Sequence, residues 1–162
     1  MSISEGEMAP DFSMPATGGR TVSLAAQRGR PFVLYFYPKA DTPGCTKEAC
    51  AFQEALPQFG TAGVDVIGVS RDAVSALERF AAKYQLSFPL ASDDSGVAEA
   101  YGAWVEKSMY GKKYMGLDRC TVLVDGDGQV RRIWRKVKVE GHAAAVQAAA
   151  RALRDDGASP PT

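Results

Sequence analysis

The chain is short of several things that other protein classes need. It has three cysteines and one histidine in 162 residues. Three cysteines are too few for a disulfide framework, and the odd count leaves at least one thiol unpaired, so cytosolic residence with reduced thiols is expected. Neither sign of charge is in excess: Lys+Arg and Asp+Glu each total 19. That balance gives no electrostatic reason to expect a nucleic-acid or anionic-membrane partner. No apolar run approaches the ~20 residues that span a bilayer. The opening Met1-Ser2-Ile3-Ser4-Glu5-Gly6 has neither the basic nor the apolar part of a signal peptide, so none is expected. Internal repeats and linker-like shifts in composition are lacking too, so a single domain over 1–162 is expected.

What is present is the ordinary material of a globular fold, 46% hydrophobic and 23% charged, long enough to bury a core. Gly18-Gly19 reads as the turn of a hairpin between Phe12–Met14 and Thr21–Leu24. Phe32-Val33-Leu34-Tyr35-Phe36-Tyr37 is the pattern of a central strand covered on both faces. The next elements are a helix over 46–59, a strand over 64–69, a helix over about 73–84, a short strand at 88–91 and a short helix at 97–101. Strands at 120–124 and 129–134 flank Asp125-Gly126-Asp127-Gly128, a hairpin signal rather than a calcium loop, since the other oxygen ligands are missing. A last helix covers about 142–154, and the rest, about 155–162, reads as a frayed tail. Gly111–Gly116 reads as a mobile loop rimming a pocket. The order β-α-β-α-β, then an antiparallel hairpin and a closing helix, fits one mixed sheet flanked by helices, an α/β layout of the thioredoxin-like type.

The chemistry concentrates around Cys45. It follows Pro43-Gly44 and stands where the apolar strand gives way to a helix. Backbone N–H groups are unpaired at such a junction and the helix dipole favours negative charge, so this thiol is expected to ionise more readily than a free cysteine. Cys50 lies five positions further on. On one intact helix the two would point ~140° apart, with Cα atoms ~8–9 Å from each other, beyond the ~7 Å reach of a disulfide. They could meet only if the first turns melt. That suits a thiol oxidised first and captured later by its neighbour. The plainer reading, both cysteines as small apolar fillers, suits Cys50 taken alone better than it suits Cys45.

Pro38-x-x-x-Thr42-x-x-Cys45 with Gly44 and Thr46 resembles the active-site motif of the peroxiredoxins. The fuller run from Lys39 to Cys50 resembles their bacterioferritin comigratory protein (peroxiredoxin Q) branch. The similarity continues through Ala9–Phe12, Gly68–Asp72 and Arg119–Asp125 and covers nearly the whole chain. The resemblance implies reduction of hydrogen peroxide and organic hydroperoxides without metal or organic cofactor. It implies Cys45 as peroxidatic nucleophile, and Thr42 holding thiolate and peroxide through a hydroxyl that donates and accepts. Pro38 would shield the site, Arg119 would stabilise the charges, and the backbone N–H groups of Gly44 and Cys45 would add donors. Cys50 would resolve, giving an intramolecular disulfide reduced by a thioredoxin or glutaredoxin system, in a protein expected to be monomeric.

Three alternatives stay open: a one-cysteine enzyme with an external resolving thiol, a redox-sensing or chaperone-like binding protein, and, weakest, a zinc site from Cys45, Cys50, Cys120 and His142. Cys120 departs from the small polar residue expected beside Arg119, and is read as an inert core thiol. His142 is read as satisfied or solvated. Arg131, Arg132, Arg135, Lys136 and Lys138 are read as a solvated face.

Overall fold

A computed structural model describes residues 3–158. Its strands and helices in chain order are β1 (Ser13–Ala16), β2 (Arg20–Ser23), β3 (Phe32–Phe36), α1 (Pro43–Ala62), β4 (Asp65–Ser70), α2 (Val74–Tyr84) and β5 (Leu90–Ser92). Then follow α3 (Val97–Ala100), β6 (Trp104–Met109), β7 (Lys112–Leu117), β8 (Cys120–Val124), β9 (Val130–Trp134) and α4 (His142–Ala158). Seven strands form one mixed sheet in the order β2-β1-β5-β4-β3-β8-β9. β3, β4 and β5 run parallel, while β8 pairs antiparallel with β3, and β1 with β5.

β3 is buried at every position, as is β8 beside it; such runs occur where both sheet faces are covered. Alternate residues divide between two cores. Val33, Tyr35, Tyr37, Val66 and Leu123 pack against α1, α2 and α4 through Ala49, Phe52, Phe59, Leu77, Phe80 and Val146. Phe32, Leu34, Phe36, Val122 and Val124 face the other way, against Phe12, the short α3 and Tyr101. The three long helices thus share one face, and α3 with the N-terminal segment covers the other.

Three elements differ from the expectations above by more than two residues. α1 begins at Pro43, not Thr46, because proline fits the first helical position, where its missing N–H is not needed. It closes on Gly63, whose φ of 74° is the left-handed cap that glycine adopts freely. Residues 111–116 are not a loop: they belong to a separate two-stranded hairpin, β6 with β7. Tyr110 and Gly111 turn it with φ of 52° and 78°, the consecutive left-handed pair of a tight hairpin. The pattern hides this hairpin because its outer half is exposed and lacks apolar alternation. α4 runs on through Ala158, so 155–158 are helix rather than tail; residues 159–162 of the expected tail lie outside the described residues.

Candidate active site

The loop leaving β3 is fastened before it enters α1. The Ala40 N–H donates to Asp72 Oδ2 at 2.8 Å, and Ser70 Oγ donates to the same oxygen at 2.7 Å. Asp41 takes a left-handed φ of 60°, which costs a residue with a Cβ roughly 1–2 kcal/mol. Its carboxylate is gripped from α2, accepting from Lys83 Nζ at 3.0 Å and Tyr84 Oη at 2.9 Å. Those hydrogen bonds, Lys83's foremost, hold the carboxyl below its ordinary range. Thr42 follows with extended backbone and serves as the N-cap of α1. Its hydroxyl donates to the Lys39 carbonyl at 2.8 Å, which leaves the oxygen's lone pairs free to accept.

Cys45 therefore lies within the first turn of α1, not ahead of it, and is only 2% exposed. Arg119, in the short link between β7 and β8, reaches across to this turn. A side chain on Gly44 would come within 3.2 Å of Arg119 Nη2, so glycine leaves the guanidinium its seat. Arg119 Nη1 donates to Glu48 Oε1 at 2.7 Å. Burial works against the arginine's charge, and Glu48 and then Cys45 more than offset it, so its pKa is raised.

Glu48 is 1% exposed. Burial pushes its carboxyl up to about 7 despite the pull of Arg119, and its Oε2 has no hydrogen-bond partner. The phenols of Tyr35 and Tyr37 are likewise buried without a hydrogen-bond partner, and desolvation raises both well above the ordinary tyrosine value. Tyr35 stacks on Phe52 with centroids 4.6 Å apart. The thiol thus sits in a buried, largely aromatic recess beside the Arg119 cation, where a charge is felt more strongly than in water.

The sequence-derived residues sort clearly on this frame. Gly44, Cys45 and Arg119 converge, with Thr42 at the helix cap beside them. Pro38 is exposed at the head of the loop. Cys50 is half-buried and free, on the same unbroken helix as Cys45. Cys120 belongs to the other core, across the sheet from Cys45. Burial pushes its thiol up to about 11, with Arg135 Nη1 at 3.9 Å. His142 is buried, shares a 2.8 Å hydrogen bond with Thr121 Oγ1 and packs edge-on against Phe52 and Trp134. Burial, helped by Arg119, lowers its pKa to about 4. The four candidate zinc ligands are therefore not assembled. Among the described residues, no three His, Cys, Asp or Glu side chains gather to hold a metal.

Two features escape the motif reading. Asp72 and Asp41 fasten the loop through folding alone. Glu48 does leave a trace in the sequence: it is an acid three residues after Cys45, on the stripe of Cys45, Ala49 and Phe52 that faces the sheet.

Fold and site together define a thioredoxin-like α/β protein organised around a buried thiol at a helix start under an arginine. Residues 6–133 match the model of the AhpC/TSA family. A putative peroxiredoxin bcp of Coxiella burnetii is 50% identical over 147 residues, covering 90% of this chain and 97% of that protein. The peroxiredoxin Bcp of Escherichia coli is 43% identical over 141 residues, covering 86% and 90%. A solved structure of Xanthomonas campestris peroxiredoxin Q superposes with a TM-score of 0.85 at 46% identity, covering 88% of this chain and 91% of that one. The chain belongs to the AhpC/TSA family, as a peroxiredoxin of the Bcp (peroxiredoxin Q) branch, and is a thiol peroxidase.

Proposed function

We propose that this peroxidase reduces hydrogen peroxide and organic hydroperoxides through Cys45 and Cys50, and that a thioredoxin or glutaredoxin system recycles it. The observation that carries the reading is the Cys45 thiol buried in the first turn of α1 beside the Arg119 guanidinium. The Cys45 thiolate attacks the terminal oxygen of ROOH. The O–O bond breaks, a sulfenic acid forms, and RO⁻ departs to take up a proton as ROH. Arg119 faces the charge as it moves from sulfur to the leaving oxygen. Thr42, whose own proton is engaged by Lys39, accepts the O–H of the peroxide and aligns it. The N–H groups of Gly44 and Cys45, in a first turn that lacks internal partners for them, add donors. Pro38 brings no N–H to the mouth of the site and screens it from water. Alkyl peroxide reduction has been studied structurally in the Xanthomonas campestris bacterioferritin comigratory protein, 45% identical to this chain, which supports the organic substrates.

Cys50 is the better resolving thiol, because Cys120 faces the opposite core. Its thiolate attacks the sulfenic sulfur of Cys45, hydroxide leaves, and a dithiol reductant reopens the bond by exchange. A single chain then suffices, so the working unit is a monomer, in the cytoplasm where thiols stay reduced. Among the described residues no helix is long and apolar enough to cross a membrane. One observation favours a second reading: α1 is unbroken between the two cysteines, as a one-cysteine enzyme with an external thiol would have it. Intact mass after one equivalent of peroxide, with non-reducing peptide mapping, separates the two. The expected result is loss of two hydrogens and a Cys45–Cys50 link. A stable added oxygen on Cys45 with Cys50 free would establish the one-cysteine enzyme. Failure to consume peroxide repeatedly with thioredoxin reductant supplied would leave a sensor.

A further inference from the structure

Glu48 stands between the two cysteines, three residues after Cys45 and two before Cys50, and α1 buries it. One carboxyl oxygen meets Arg119 at 2.7 Å and the other has no partner. Its neighbours on the inward stripe, Ala49 and Phe52, are apolar, so packing alone does not ask for an acid here. An ionised carboxylate in such surroundings is costly unless it is fully paired. Because the cysteines lie ~8–9 Å apart on an intact helix, joining them unwinds the turns that contain Glu48. Its carboxyl must then leave both the recess and Arg119.

We propose that Glu48 is a positioning residue for disulfide formation: with Arg119 it pins the first turns of α1 while Cys45 reacts, and its withdrawal frees Cys45 to meet Cys50. This role rests on the reading of Cys50 as the resolving thiol. The charged and titratable groups around the pin are few. Arg119 comes from the link before β8, Cys45 from α1 itself, Tyr35 from β3 and Tyr37 from just beyond it, both phenols held neutral by burial. His142, at the start of α4, is kept neutral by burial and by Arg119.

The direction with pH follows. In the wound helix the carboxyl is held up to about 7; in the unwound segment it returns to about 4.3. The wound state therefore keeps a proton that unwinding releases. Glu48's contribution to the wound state is fully present below about 4.3, fades as pH rises through about 7, and is constant above. Across that window the unwinding constant is expected to rise by ~10²-fold or more.

The test is amide hydrogen exchange over residues 43–50 of the reduced full-length protein from pH 5 to 8.5, referred to an unstructured peptide of the same sequence. The wild-type opening constant is expected to rise at least ~10-fold from pH 5 to 7 and then level off. Glu48→Gln should flatten that rise, with a denaturant midpoint confirming that the variant is folded. The wild-type profile tests the pin even where the variant folds poorly. An opening constant indifferent to pH in the wild type, or a rise that survives Glu48→Gln, overturns it. After peroxide, the rate of Cys45–Cys50 link formation should depend more steeply on pH in the wild type than in the variant. A link that forms normally while exchange stays flat overturns the pin alone. No link at any pH overturns the two-cysteine reading, and the role with it.

Discussion

Arg119 is the residue on which the site turns, because its one charge serves both Glu48 and Cys45. Glycine at 44 is part of the same device, since a side chain there would press on the guanidinium. Replacing Arg119 by methionine keeps the bulk and removes the charge. The second-order rate of peroxide reaction, followed by stopped flow, should fall ~10²–10³-fold. Cys45→Ser should abolish turnover, whereas Cys120→Ala should leave it within ~2-fold, because a thiol pushed up to about 11 on the far side of the sheet is a poor nucleophile. Loss of turnover in the Cys120 variant while it remains folded would mean that the third thiol takes part. Cys45 and Thr42 stand out as candidates because motif spacing names them, and Arg119 only through the family resemblance. Asp72 does not, because its bond to the Ala40 N–H joins residues 32 positions apart.

If Cys45 and Cys50 join, the element that must move is α1, while the loop ahead of it is tied down. Asp41 is strained at φ 60° and tied to Lys83 and Tyr84 on α2. Glycine tolerates that backbone and alanine does not, so Asp41→Gly should retain several-fold more peroxide rate than Asp41→Ala. Equal rates in the two variants would show that the anchor alone matters and the backbone strain does not. In the first turns of α1, oxidation should raise amide exchange over residues 43–50 in the wild type and leave it unchanged in Cys50→Ser. Protection that persists in an oxidised protein carrying the Cys45–Cys50 link would refute the unwinding argument.

For the whole molecule, the core under the site ties activity to stability. Phe52 is fully buried against Tyr35, Phe59 and His142, and Phe52→Ala should destabilise the protein by about 3–5 kcal/mol in chemical denaturation. His142 gives the fold an acid limit. Its pKa is lowered to about 4 in the folded chain and returns to about 6.5 on unfolding. Between those values the unfolded chain binds the extra proton, so the His142 contribution to stability falls as pH drops from about 6.5 toward 4, opposite in sign to that of Glu48. A His142→Asn variant should lose part of that slope in melts taken across the window. An unchanged slope would place the acid sensitivity elsewhere.

Pattern alone sufficed for the helices and for the strands of the main sheet, and it singled out Cys45 as the candidate nucleophile, because each is a local property. A buried run of six residues, a proline and glycine at a helix start, and a cysteine spaced from Pro38 and Thr42 are all readable along the chain. The β6–β7 hairpin was not readable, because exposed strands carry no apolar period. Tertiary structure decided everything that depends on distant residues meeting. It set Arg119 over Gly44, gave Glu48 one partner instead of two, put Cys120 behind the sheet and Cys45 before it, and left Cys45 and Cys50 on one unbroken helix. Periodicity says which side of an element is buried; only the folded chain says what it is buried against.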